Sequence, residues 1–347
     1  MPDLRVRLLA ENESAHWPGP LARMGGFVSL DSWSFFLRKV YGFDVYRFEA
    51  SEDQKTTGCL TLLHIRHPVF GNYLTTAPFA SYGGFAFDSS AARDVLLAEA
   101  SSLVQKLGVD YALIRFEAGE MPAPQNWVQQ PIYATYVTEL QGNPEALMSQ
   151  FSSDHRNHIR KSLKKGFTVS FGHLDLLDDA YEGLARSMHE LGSPYHSKNY
   201  LREMACSLGE RLEFTVIYDS QKKIAGAGVF IFHGETATNL HANILRNVRS
   251  DYAGEFLYWS VISRYCQKGL RSFDMGRSLI GSGNEMFKMK WKPRKQMLCY
   301  WHYLKADARI PELNQKNPRF RLAIWTWKRL PSFVVRFLGP SLIKGLA

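Results

Sequence analysis

Cysteine is scarce in this 347-residue chain: Cys59, Cys206, Cys266 and Cys299 lie far apart and form no Cys-x-x-Cys pair. That spacing excludes the common zinc arrangements and a disulfide framework, and it reads as reduced, mostly buried thiols. Long apolar runs are missing too, since none reaches the roughly 18–20 residues that a bilayer-spanning helix needs. Glu11 and Glu13 interrupt the N-terminal region, which has no basic stretch followed by an apolar core, so no secretory leader is expected. Order and spacing support no Ser-His-Asp or Cys-His arrangement, which disfavours a covalent mechanism. His155 and His158 stand three apart without a carboxylate motif beside them, so no metal site is expected. The expected location is the cytoplasm, with peripheral contact at the inner face of the membrane.

What is present supports folding. Hydrophobic residues make up 45% of the chain and aromatics 13%, enough to bury substantial cores. The length suits two domains of roughly 150 residues each. A net charge of +9 points to an anionic partner, whether nucleic acid, phospholipid headgroup or phosphorylated substrate.

The first half reads as mixed α/β. Asp31-Ser32 caps an expected helix through about residue 41, whose apolar side uses Trp33, Phe36, Leu37 and Val40. Residues 43–50 and 56–66 alternate as paired strands around the polar turn 51–55. The run Pro78-Phe79-Ala80-Ser81-Tyr82-Gly83-Gly84 is a turn or close-approach segment, because paired glycines reach backbone geometries closed to other residues. A capped helix over 89–107 ends at Gly108 and precedes a strand over 109–116. The second half repeats the plan: helices over 144–165, 177–191 and 198–208, strands over 212–219, 223–233 and 235–245, a helix over 253–268 and a strand over 271–275. The expected fold class is therefore α+β, in two structurally similar domains at 1–150 and 151–310, followed by a tail at 311–347.

Four regions carry candidate chemistry. The stretch 154–166 is dense in charge: on a helix Phe151, Ile159 and Leu163 share an apolar stripe, while Arg156, Arg160 and Lys164 line another. It reads either as a solvated basic face or, with Lys161, as an anion clamp. Arg249-Ser250-Asp251-Tyr252-Ala253-Gly254 precedes a helix like a pyrophosphate-binding turn, but Tyr252 stands where glycine is expected. Glu255, His241 and Tyr258 are candidates for proton handling or substrate contact. The sharpest region is Asp274 to Lys288, where a strand end, a glycine-bearing loop and a cationic helical turn place backbone N–H groups and a lysine around one oxygen. Asp274 would orient an amine, accept its proton, or simply cap the turn.

No acidic residue follows Glu312, whereas Lys316, Arg319, Arg321, Lys328, Arg329, Arg336 and Lys344 interleave with aromatic and aliphatic side chains. Such a segment either lies in a lipid interface or docks its aromatics onto the domains.

Arg156-Asn157-His158-Ile159-Arg160-Lys161 followed by Gly166 resembles a motif of FemAB-like proteins, and Phe273-Asp274-Met275-Gly276-Arg277-Ser278, Phe287-Lys288 and Lys290-Trp291 look like that family's C-terminal block. The tail is similar to that of the branch associated with exosortase/PEP-CTERM exopolysaccharide systems. The resemblance implies two tandem GNAT-like domains, mixed sheets flanked by helices, and transfer of an acyl or aminoacyl group to an amine. It places Lys288 and Phe287, with Asp274, at the transfer site. Substrate contacts are expected at Arg156, Arg160, Lys161, Tyr82, Gly83, Gly84, His241, Tyr258, Arg277 and Ser278. The expected donor is aminoacyl-tRNA or acyl-CoA, with no tightly bound cofactor, and the expected acceptor is an anionic lipid- or nucleotide-linked glycan precursor. Alternatives are an acyl-CoA-dependent N-acetyltransferase acting on a small amine and a non-catalytic membrane-associated glycan- or lipid-binding protein. One departure is Lys292, where glycine is expected after the tryptophan.

Overall fold

A computed structural model describes residues 4–15, 17–117, 119, 121–140, 142–306, 308–310 and 318–347, the side chains of 318–320 excepted. Glu312, Lys316 and the side chains of Arg319 and Phe320 lie outside the described residues. The chain forms two compact units: Met1–Ala134 with Gln296–Glu312 and Lys344–Ala347, and Thr135–Lys295 with Leu313–Ile343. This differs from boundaries at 150 and 310, because residues 298–304 pair with strand residues 111–117 of the first unit.

In the first unit the strands are β1 (Leu4–Leu8), β2 (Asp44–Glu52), β3 (Lys55–His67), β4 (Gly71–Thr75), β5 (Phe85–Phe87), β6 (Tyr111–Glu117) and β7 (Trp127–Gln129). Its helices are α1 (Gly19–Gly25), α2 (Asp31–Tyr41) and α3 (Ser90–Leu107). The hairpin β2–β3 turns through Asp53 and Gln54, both left-handed at φ 48° and 66°. The Ser89 hydroxyl accepts the Ala92 N–H to start α3, and left-handed Gly108 ends it, as the sequence indicates. Helix α2 forms where expected, but Asp31 does not cap it: its carboxylate accepts from Arg47 Nη1 at 2.9 Å and from the Ala15 N–H at 3.1 Å. Apolar residues of α3, among them Leu96, Ala100 and Val104, bury against Leu60, Leu62 and Ile114 of the sheet.

The second unit contains β8 (Tyr133–Glu139), β9 (Thr168–Gly172), β10 (Leu212–Tyr218), β11 (Ile224–His233), β12 (Thr236–Ile244), β13 (Ser272–Asp274) and β14 (Ser278–Leu279). The last strand in chain order, β15 (Arg294–Leu304), pairs with β6 and β7 of the first unit. The helices of the second unit are α4 (Pro144–Gln150), α5 (Ser153–Leu163), α6 (Leu177–Leu191), α7 (Lys198–Leu208), α8 (Ala253–Gln267), α9 (Gly283–Met289), α10 (Pro318–Trp327) and α11 (Ser332–Lys344), the last residue of which belongs to the first unit. Its sheet runs β8-β13-β12-β11-β10-β9, with β14 on β8. Among the described pairings, each unit holds a parallel pair joined through a helix, β4–α3–β6 and β12–α8–β13. That shared strand–helix–strand return is the repeat legible in the sequence.

Two local expectations change, while the expectation of mostly buried thiols holds. The helix expected over 144–165 is two helices: Phe151 is extended, and Ser152 caps α5 by accepting the His155 N–H. Leu163 leaves the apolar stripe and is 49% exposed, because α5 ends there and buries His155 and Ile159 instead. Cys59, Cys266 and Cys299 are buried, but Cys206 is exposed.

Candidate active site

Asp274 closes β13 and is almost wholly buried. Its Oδ1 accepts from Thr135 Oγ1 on β8 at 2.5 Å and from the Gly276 N–H at 2.8 Å, so the carboxylate caps its own turn. Gly276 itself is left-handed at φ 72°. This turn points two carbonyls at α9, where Lys288 Nζ donates to Gly276 O at 2.7 Å and to Arg277 O at 2.9 Å. Two of the three ammonium donors are thereby spent and one remains. Burial lowers the Lys288 ammonium to about 8, against the opposing charge of Asp274 and with the help of Arg277.

Helix α9 stands on a short polar scaffold. Ser282 caps it by accepting the Glu285 N–H, and the Glu285 carboxylate reaches back to the Gly281 N–H. Glu285 also accepts from Tyr136 Oη at 2.8 Å and Lys295 Nζ at 2.7 Å. These partners, Lys295 foremost, hold its carboxyl near 2. Tyr136 in turn lays its ring 5.5 Å from Lys288 Nζ.

On the other side of α9 an aromatic cluster joins the two sequence motifs. His155 of α5 meets the Trp291 ring at 4.5 Å, and Trp291 neighbours Tyr258 at 5.9 Å. Phe287 meets Tyr258 edge-on at 5.1 Å. Asn239 Nδ2 on β12 donates to Tyr258 Oη at 2.9 Å. Burial lowers His155 to about 4, so it is a neutral packing residue at ordinary pH.

The structure brings Asp274, Gly276, Arg277 and Lys288 into direct contact, and packs Phe287 against Tyr258 nearby. Arg277 is exposed, whereas Ser278 is buried. Arg156 is spent on the end of α4, donating to Ser149 O and to Phe151 O at 3.3 and 2.5 Å. Arg160 and Lys161 are exposed, Lys161 Nζ lying 5.8 Å from the Tyr252 ring. His241 packs against Tyr195 and His196, and burial lowers it to about 4. Glu255 is buried and pairs with Lys290 at 3.6 Å. Tyr82, Gly83 and Gly84 belong to the first unit, where a Cβ on Gly83 would fall 2.4 Å from Gly25 O, so close backbone packing demands that glycine.

Both departures from expected glycine take the glycine conformation anyway. Tyr252 is left-handed at φ 61° and Lys292 at φ 53°. The Tyr252 ring stacks on His158 at 4.6 Å, so the turn before α8 keeps its backbone shape with a side chain folded to one flank. The sequence missed Thr135, Tyr136, Asn239 and Glu285 as parts of this site, while Trp291 entered only through the Lys290-Trp291 motif of the resemblance. Only Glu285 carried a local signal, the Ser282-x-x-Glu285 capping pattern.

Residues 151–289 match the acetyltransferase (GNAT) domain family. No curated protein matches the sequence at a significant level. The chain is similar to the crystal structure of FemX, 14% identical with a TM-score of 0.62, over 81% of this chain and 93% of that one. It is also similar to a tandem GNAT protein from the clavulanic acid biosynthesis pathway, solved without AcCoA, at 12% identity and a TM-score of 0.56, over 86% of this chain and 98% of that one. The fold is that of a tandem GNAT protein. A third likeness, 11% identical with a TM-score of 0.55, is to the C-terminal domain (DUF2156) of an Agrobacterium fabrum protein named as a candidate lysylphosphatidylglycerol synthetase, over 84% of this chain and 91% of that one. The tandem GNAT fold agrees with the expected α+β class, and residues 151–289 contain all of α5 to α9. The Lys288 corner therefore lies inside the GNAT-matching segment.

Proposed function

We propose that the protein is an acyl- or aminoacyltransferase that forms an amide, less readily an ester, on a cell-envelope or exopolysaccharide precursor, in the branch associated with exosortase systems. The observation that carries this reading is the buried Lys288 ammonium, fixed beside Asp274 with one donor unspent, inside the GNAT-matching segment. An amine nitrogen of the acceptor attacks the donor carbonyl. The N–C bond forms as the C–O bond of an aminoacyl ester, or the C–S bond of a thioester, breaks. The remaining Lys288 N–H stabilises the oxyanion, and the amine proton passes to the leaving group or to water. Asp274 acts as a positioning residue that shapes the turn and offsets the lysine charge.

The left-handed backbone at Tyr252 supports a second reading, an acyl-CoA-dependent N-acyltransferase acting on a small amine. Mass spectrometry of envelope glycans from cells with and without the protein tests the acceptor: an acyl or amino-acid mass lost with the protein is expected, and unchanged glycans overturn the envelope assignment. With donor and acceptor in hand, Lys288→Ala should lower turnover about tenfold or more while the fold persists. Unchanged turnover removes Lys288 from the mechanism, whereas no acyl transfer by the parent with either class of donor favours the non-catalytic binding protein.

A further inference from the structure

The tail helices have two faces of opposite fate. On α10, Trp327 is buried, its indole N–H donating to Ser193 O at 3.1 Å while its own carbonyl lies 3.1 Å from His189 Nε2. Ile324 on the same side closes on Gly192. On α11, Val335 is buried and Gly339 comes so near Tyr195 that a Cβ would fall 2.9 Å from its carbonyl oxygen. Arg336 clamps this helix with an ion pair to Glu182 at 2.6 Å. The two alternatives for the tail, docking or lying in a lipid interface, thus divide between faces of the same helices.

The other face is apolar, uncovered and aromatic. Leu322 and Trp325 stand three apart on α10 at 71% and 55% exposure, and Phe333 and Phe337 stand four apart on α11 at 73% and 82%. In each helix these positions fall about 200° from the docked ones, the opposite side at 3.6 residues per turn. Arg329 lies over the Trp325 ring at 3.8 Å and donates to Trp325 O, so the tryptophan is already fixed in an exposed pose. Arg321 and Arg329 are exposed beside it, whereas exposed Lys328 shares a depression with Glu190 on the docked side, and residues 318–347 contain no Asp or Glu. No helix among the described residues is long and apolar enough to cross a membrane.

We propose that this face is a docking surface for an anionic phospholipid bilayer, on which α10 and α11 lie in the plane of the headgroups. The charge complementarity decides the occupant: exposed Arg321 and Arg329, on helices that carry no anion of their own, suit a negatively charged lipid surface, and Trp325 and the two phenylalanines reach below it. A second copy of this chain, which carries the same cations on this face, would lose that complementarity. The docked face stays on the second unit, so binding needs no unfolding.

Flotation of the full chain with vesicles tests this without any substrate, so its outcome is separable from that of the acyl-transfer reading. Binding to phosphatidylglycerol/phosphatidylcholine vesicles is expected, with weak binding to phosphatidylcholine alone and a decline as salt rises. The double variant Phe333→Ser/Phe337→Ser, altered only at exposed positions, should retain its melting temperature and lose vesicle affinity about tenfold or more. Arg321→Glu/Arg329→Glu should erase the preference for the anionic lipid. Equal vesicle binding by the phenylalanine variant, or no binding by the parent, overturns the proposal. A concentration-dependent dimer that the phenylalanine variant abolishes, without lipid binding, would instead assign the face to self-association.

Discussion

Lys288 carries two backbone hydrogen bonds and one carboxylate neighbour in a buried setting, and this gives it a pH dependence of its own. Its folded value of about 8 lies below the ordinary 10.5, so between those limits the unfolded chain holds a proton that the folded chain has released. Stability therefore rises with pH across that window, and the penalty for burying the ammonium is fully present below 8. Oxyanion stabilisation follows the ammonium and should fade above pH 8. A descending limb near 8 in the pH profile of turnover is expected, and its persistence in Lys288→Ala would assign it to another group. Asp274→Ala removes the acceptor for Thr135 and Gly276 and the counter-charge for Lys288. Chemical denaturation should show a loss of about 1–3 kcal/mol, largely recovered in Asp274→Asn, which keeps an acceptor oxygen. A loss equal in both variants would mean that charge rather than hydrogen bonding fixes the turn.

Among the elements, those set by local chemistry were legible and those set by packing were not. Ser89 and Gly108 bracket α3, Ser197 caps α7, and Gly192 ends α6, all by side-chain or backbone rules that act within one turn. The break between α4 and α5 has a local cause in Ser152, and Ser152-Ser153-Asp154 is a capping signal that the helix expected over 144–165 runs through. Lys292 tests how far such rules reach. Its left-handed backbone costs about 1–2 kcal/mol relative to glycine, yet Trp291 beside it is fully buried and holds the turn in place. Lys292→Gly should raise the melting temperature by a few degrees, and a decrease would show that the lysine side chain contributes more than the strain costs.

Across the whole molecule, buried histidines set the response to acid. His155, His196 and His302 are each less than 4% exposed, and desolvation is the first cause lowering all three, His155 and His302 to about 4 and His196 well below 6.5. Between about pH 6.5 and 4 the unfolded chain takes up protons that the folded chain refuses. Stability is full above 6.5 and is lost as pH falls, by up to about 1.4 kcal/mol per pH unit for each histidine. The melting temperature should drop clearly from pH 7.5 to 5.0, and His155→Phe should make the drop shallower. A melting temperature independent of pH would show that these side chains are solvated.

The sequence by itself determined the α+β class, the two repeated halves, most element positions and the Asp274–Lys288 corner as a meeting of turn and cation. Those features follow from periodicity, caps and glycines, whose effects are local. Tertiary structure decided what each group at the corner does: Thr135 and Tyr136 arrive from β8, about 140 residues before Asp274 and 150 before Glu285 in the chain, and Asn239 arrives from β12. It also assigned 296–304 to the first unit and turned Arg156 from a free cation into a helix-end tie. The physical reason is that burial and hydrogen-bond partners come from residues distant in sequence, and only the folded chain brings them together.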